Sequence, residues 1–303
     1  MLTENGSAPS MDVGGFLFVK INTNERKKKM SSSTKNFTKK LTESAVMLAL
    51  TLILSYFKLV DLPYGGSITL CSMLPTIFIA YRHGMLFGLG MGFANGLLQL
   101  LMGVSTLSYA TSAGAAVAIV VLDYLLAFTV LGLGGIFKNL FKNQVVSIGV
   151  GAAFVCTLRY IFHVIAGCTV WKGLSIPDSE ALIYSIAYNA TYMLPELIIT
   201  VVGAIYLASS VNLKSERLAT IKKSDSTKSG RVLKNLGILG SAAAFIADIV
   251  LIAPKLQNAD SGDFDITGIT KVNFTTVIII TLVGVIWTAA FFLAAKYKEK
   301  NNN

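Results

Sequence analysis

Long, nearly uncharged apolar runs recur along the chain from residue 42 onward, and they limit the fold more than any other feature. When helical, a run of about 17–25 apolar residues matches the hydrocarbon thickness of a bilayer. Eight runs can be marked, at about 42–59, 68–81, 84–103, 112–133, 145–167, 181–209, 236–253 and 272–295. The second is short and contains Pro75. Hydrophobic residues make up 53% of the 303 and charged residues only 14%. A soluble monomer of that make-up would expose too much apolar surface. The expected fold is an all-α polytopic membrane protein, a six-helix bundle followed by an extra two-helix transmembrane hairpin.

Charge divides the chain further. Residues 1–41 form a polar, basic tail with the run R-K-K-K at 26–29, and no signal-peptide core with a cleavage site follows it. It is read as a disordered cytoplasmic tail. Residues 42–209 are read as a six-helix membrane domain, 210–235 as a charged linker, clearest from Lys214 to Lys234, and 236–303 as the additional hairpin. The net charge of +10 sits mostly between spans, so it signals topology and not a nucleic-acid partner. With the tail inside, Arg82, Lys138, Lys142, the linker and the C-terminal lysines are inside too, while Lys58, Lys172, Lys255 and Lys271 are outside. Both termini are therefore expected in the cytoplasm, with Asp61, Tyr64 and Trp171 facing outward.

Polar groups inside spans are costly in hydrocarbon and mark functional positions. Asp123 and Tyr124 lie in the fourth run, Arg159 and His163 in the fifth, Tyr184 and Asn189 in the sixth, with Trp171 between. Arg159 and His163 are four apart and share a helix face. Tyr184 and Asn189 are five apart, about 140° around a helix, so both can border one cavity. Asp123 is either an ion-pair partner of Arg159 or a counter-charge for a ligand. Trp171 and His163 offer aromatic surfaces that attract a cationic ring. Together these groups suit a small, flat, polar ligand with cationic character. Glu196, beside Pro195, is left without a role.

Other features read as structural. Gly84, Gly88, Gly92 and Gly96 recur every four residues, placing one smooth face where another backbone can approach. Ala45 and Ala49 form a smaller strip, either for internal packing or for docking a partner helix. Cys71, Cys156 and Cys168 match no metal-ligand spacing, and no cofactor or metal is expected. Metalloprotease, nucleophile-elbow and phosphate-binding-loop motifs are absent from the sequence, so no enzymatic activity is expected and any ATP-driven step must come from another chain.

Residues 40–212 resemble the substrate-binding S component of energy-coupling factor vitamin transporters, of the thiamine-binding type. The likeness rests on L-T-E-S-A-V-M-L-A-L in the first run, L-D-Y-L in the fourth and R-Y-I-F-H-V-I-A-G in the fifth. It rests equally on Trp171 and on Y-S-I-A-Y-N in the sixth. The resemblance implies a bacterial plasma-membrane protein that binds thiamine from outside. Asp123, Tyr124, His163, Trp171, Tyr184 and Asn189 would line the pocket, Arg159 would stand where the family often has Lys, and the Tyr64 loop would close over it. Ala45 and Ala49 would match a surface that meets a transmembrane coupling subunit, itself working with two ATP-binding subunits. Where the family commonly has Glu in the fourth span, this chain has Asp123. Two alternatives remain at this level: an S component for a thiamine precursor or other vitamin, and a stand-alone proton-coupled carrier using Asp123, Arg159 and Glu196.

Overall fold

The computed structural model describes residues 13–171, 178–215, 218–221, 228–258 and 264–301. The chain divides into two compact units, Met1–Glu43 and Ser44–Asn303. The tail is not disordered throughout, because a first helix already runs from Val13 to Tyr56. No glycine or proline interrupts residues 16–56, so nothing in the backbone stops a helix there.

That helix ends earlier than the apolar pattern implies. Lys58–Asp61 is a strand, β1, paired antiparallel with β2 at Ser67–Thr69. Leu62 precedes Pro63 and is extended, as a residue before proline must nearly always be. The second run is likewise split: its start is β2, and its helix, Leu74–His83, has ten residues. At 1.5 Å per residue that is roughly 15 Å, half a bilayer core. Every residue from Pro75 to Tyr81 is buried, so this short helix is the pillar of the core and not a lipid-facing span.

Among the described residues, six helices are long and apolar enough to cross a membrane. They are the third (Met85–Met102), fourth (Ala113–Asn139), fifth (Gln144–Val170), sixth (Glu180–Ser210), seventh (Val232–Leu256) and eighth (Phe274–Glu299) helices of the chain. The fifth and sixth pack along each other, the third lies on the second and fourth, and the seventh pairs with the eighth. The seventh helix begins at Lys228, which shortens the linker read from sequence. Exposed side chains on these helices are large and apolar, including Leu86, Phe93, Ile183, Ile286 and Leu293. Arg159, His163, Asn189 and Glu196 are buried. Apolar outside and ionisable inside is the arrangement hydrocarbon demands, and the molecule is an all-α, multi-pass membrane protein.

Three of the four glycines in the ladder close the third helix onto the fourth. A Cβ added at Gly88 would lie 2.6 Å from the Gly132 carbonyl oxygen, at Gly92 2.6 Å from that of Phe128, and at Gly96 2.8 Å from that of Tyr124. Gly84 has a different task. At φ 95° it makes the corner between the second and third helices. We predict that Gly92→Val lowers thermal stability in detergent by about 1–3 kcal/mol through overpacking. Gly90→Ala, where an added Cβ meets nothing within 4 Å, should leave the melting temperature unchanged or raise it.

Candidate functional site

The fourth helix carries the first piece of the site in an unusual form. Between Ile119 and Leu126 it is wound as a π-helix, a wider turn that occurs mostly at functional positions. Wider winding lets the adjacent side chains of Asp123 and Tyr124 both reach one cavity, which an α-helix would oppose. The Tyr124 hydroxyl donates to the Gly103 carbonyl oxygen at 3.0 Å and lies 2.8 Å from Thr106 Oγ1, which fixes the ring against the loop after the third helix. Only glycine fits at 103, since a Cβ there would lie 2.2 Å from the Tyr124 hydroxyl oxygen.

Asp123 does not pair directly with Arg159. Its Oδ1 lies 2.8 Å from His163 Nδ1, while Arg159 Nε donates to His163 Nε2 at 3.2 Å. Arg159 Nη1 in turn meets Glu196 Oε2 at 3.5 Å. Because a guanidinium can only donate, His163 Nε2 must accept, so its proton sits on Nδ1 and points at Asp123. With both carboxyl groups ionised, Asp123 and Glu196 outweigh Arg159 by one negative charge, in a place where charge is poorly screened. The guanidinium cannot give up its proton, so Arg159 itself passes no proton between the two carboxyl groups. Arg159 also stacks its cation 4.4 Å from the centre of the Phe128 ring.

Glu196, which the sequence leaves without a role, ties this row to the β-hairpin. Its Oε1 accepts from the Thr69 backbone N–H at 2.9 Å and from the Thr69 hydroxyl. Aromatic rings build the opposite wall. Tyr109, Tyr64, Tyr188, Tyr192 and His163 follow one another edge to face, with centroids 5.1, 6.2, 5.7 and 6.0 Å apart. Tyr64 sits in the left-handed region at φ 62°, which costs a non-glycine residue roughly 1–2 kcal/mol. Its ring contacts with Tyr109 and Tyr188 offset that strain. Asn189 is held by its own helix, its Nδ2 donating to Ser185 O at 2.9 Å and its Oδ1 accepting from Tyr192.

Of the residues expected at the site, Tyr64, Asp123, Tyr124, Arg159, His163 and Asn189 line one cavity of about 430 Å³. Tyr184 does not line it. Its hydroxyl donates to the Phe264 carbonyl oxygen and its ring packs on Phe264, so it belongs to the wall behind. Tyr188, one turn further along the sixth helix, takes the place on the cavity. The side chain of Trp171 lies outside the described residues, as do Lys172, Asp260 and Asp263 of the flanking loops. Tyr109, Tyr188 and Tyr192 are additions that the sequence could have supplied: Tyr184, Tyr188 and Tyr192 recur every four residues on one helix face. Among the described residues no cluster of three or more His, Cys, Asp or Glu could hold a metal.

Comparison with known proteins adds to this geometry. The model of a family described as thiamine transporter protein matches residues 41–215. The thiamine transporter ThiT of Bacillus subtilis (strain 168) is 30% identical over 191 residues, covering 59% of this chain and 95% of that protein. A solved ThiT structure from Listeria monocytogenes is 26% identical, with a TM-score of 0.45 over 56% of this chain and 92% of that one. The seventh and eighth helices lie beyond the family match.

The Arg159–Glu196 pair carries its own test. Removing one partner of a buried ion pair strands the other, so Glu196→Ala should cost about 3–5 kcal/mol of stability in thermal or denaturant unfolding. The double variant Arg159→Met with Glu196→Leu should recover much of that loss.

Proposed function

Because this chain belongs to the thiamine transporter protein family, we propose that it is a thiamine-capturing S component of an energy-coupling factor transporter. One observation carries the ligand assignment: the partly buried carboxylate of Asp123, not paired directly with Arg159, faces a cavity walled by a row of aromatic rings. Thiamine is a flat aminopyrimidine joined to a permanently cationic thiazolium. Its positive ring answers the Asp123 carboxylate, its flat faces answer the tyrosines, and its amino group and ring nitrogens answer polar side chains such as Asn189. The cavity of about 430 Å³ lies within the usual span for small-molecule sites, about 300–1,000 Å³.

Energy coupling is the second part of the proposal. The sequence holds no phosphate-binding loop, so release into the cell would depend on a transmembrane coupling subunit and two ATP-binding subunits. Support for a docking face comes from Ala45 and Ala49, both exposed on the first helix and flanked by exposed Val46, Leu50 and Ile53. Two small residues one turn apart let a partner helix come close. The charge distribution supports cytoplasmic termini, with the cavity opening outward at the end that carries the β-hairpin.

Isothermal titration of the purified protein should show saturable thiamine binding. Asp123→Asn should weaken it by more than about tenfold, roughly 1.4 kcal/mol, with the fold retained. A protein that folds and yet shows no heat with thiamine would overturn the ligand assignment, and equal affinity for the pyrimidine half alone would assign it to a precursor. Ala45→Trp with Ala49→Trp should abolish co-purification with the coupling subunit and leave thiamine binding intact.

A further inference from the structure

The seventh and eighth helices lie outside the family match, yet the loop that joins them reaches the cavity wall. After the seventh helix the chain makes a turn at Ala253–Leu256, and before the eighth another at Ile266–Lys271. Gln257 and Phe264 form an antiparallel bridge between the two turns, and the Asp265 N–H donates to the Leu256 carbonyl oxygen at 2.8 Å. The base of this loop is thus a fixed platform. From it Phe264 projects into a buried cluster with Leu62, Ile68, Tyr188 and Tyr192, and is itself only 4% exposed.

Phe264 makes two edge-to-face contacts there, at 5.4 Å to Tyr184 and 5.2 Å to Tyr188. Its carbonyl oxygen accepts from the Tyr184 hydroxyl. Gln257 Nε2 donates to the Asp61 carbonyl oxygen at 3.3 Å, the last residue of β1. Tyr188 is the ring that carries the β-hairpin turn: its hydroxyl donates to the Pro63 carbonyl oxygen and accepts from the Gly66 N–H at 3.0 Å. The loop between the seventh and eighth helices therefore grips both the turn that bears Tyr64 and the tyrosine on which that turn rests.

We propose that Phe264 is a positioning residue for the ligand site: through Tyr188 it holds the β1–β2 turn against the cavity and slows the escape of bound ligand. The C-terminal hairpin would then be a built-in clamp on the site. Phe264 touches no ligand and acts only through Tyr188 and the turn. This inference rests on the thiamine reading for the identity of the ligand but not for the mechanics of the turn.

Two measurements on the full-length protein separate those dependencies. In the ligand-free state, Phe264→Ala should speed hydrogen exchange across residues 58–69 and leave the third helix, Met85–Met102, unchanged. With radiolabelled thiamine, the same variant should release ligand at least about tenfold faster, as expected on losing two aromatic pairs, with a much smaller change in association rate. Phe264→Tyr keeps the ring and should restore near-normal release. Trp287→Ala, which loosens the contact between the seventh and eighth helices at the Leu236 carbonyl, should not mimic Phe264→Ala. Unchanged exchange at 58–69 in Phe264→Ala, or an equal effect from Trp287→Ala, would overturn the inference. If the wild type binds no thiamine, the functional reading fails, and the exchange experiment alone decides for or against the clamp.

Discussion

A histidine wedged between a carboxylate and a guanidinium is the constraint from which the site follows. Arg159 occupies His163 Nε2, the imidazole proton is thereby forced toward Asp123, and Glu196 neutralises Arg159 from the other side. Remove any member and a polar group is left stranded in hydrocarbon, where stranding is expensive. Asp123 stands at the open end of the row: its carboxyl meets the His163 ring nitrogen on one side and the cavity on the other.

The rest of the fold serves to hold this row in place. The glycine face of the third helix draws the fourth helix close, and the π-turn in the fourth swings Asp123 and Tyr124 toward one side. A short helix, buried from Pro75 to Tyr81, fills the middle, where a full-length span would have crowded the fifth and sixth helices. Glu196 then carries the electrostatics outward, since the same carboxylate that balances Arg159 also anchors Thr69 of the β-hairpin. The polar row, the core and the β-hairpin are thus one connected set of hydrogen bonds and ring contacts.

Span positions and most of the site were legible because hydrocarbon punishes misplacement so heavily. Apolar length marked the spans, and the ionisable residues of the fourth to sixth runs stood out; Asp123, Arg159, His163 and Asn189 do meet at one cavity. Asp248 shows the limit of that logic. It too is a buried acid within a span, and among the described residues it is met by the Thr281 hydroxyl at 2.7 Å in the seventh–eighth helix pair, away from the cavity. Three things lay beyond periodicity. The π-winding depends on tertiary contacts that a helical pattern does not encode. The choice between Tyr184 and Tyr188 was decided by Phe264, 80 residues from Tyr184 in sequence. The β-hairpin was legible only as a loop at 61–67, because Leu59 and Ile68 on either side of it continue the flanking apolar runs.

The central claim is electrostatic: carboxylate charge at Asp123 selects a cationic ring. It is tested most directly by comparing thiamine with an isosteric analogue whose thiazolium is replaced by a neutral ring, in wild type and in Asp123→Asn, by calorimetric titration. The account predicts that wild type favours the cation by at least about tenfold, roughly 1.4 kcal/mol, and that Asp123→Asn loses that preference while still binding both. Equal affinity of the wild-type protein for the charged and neutral forms would contradict it.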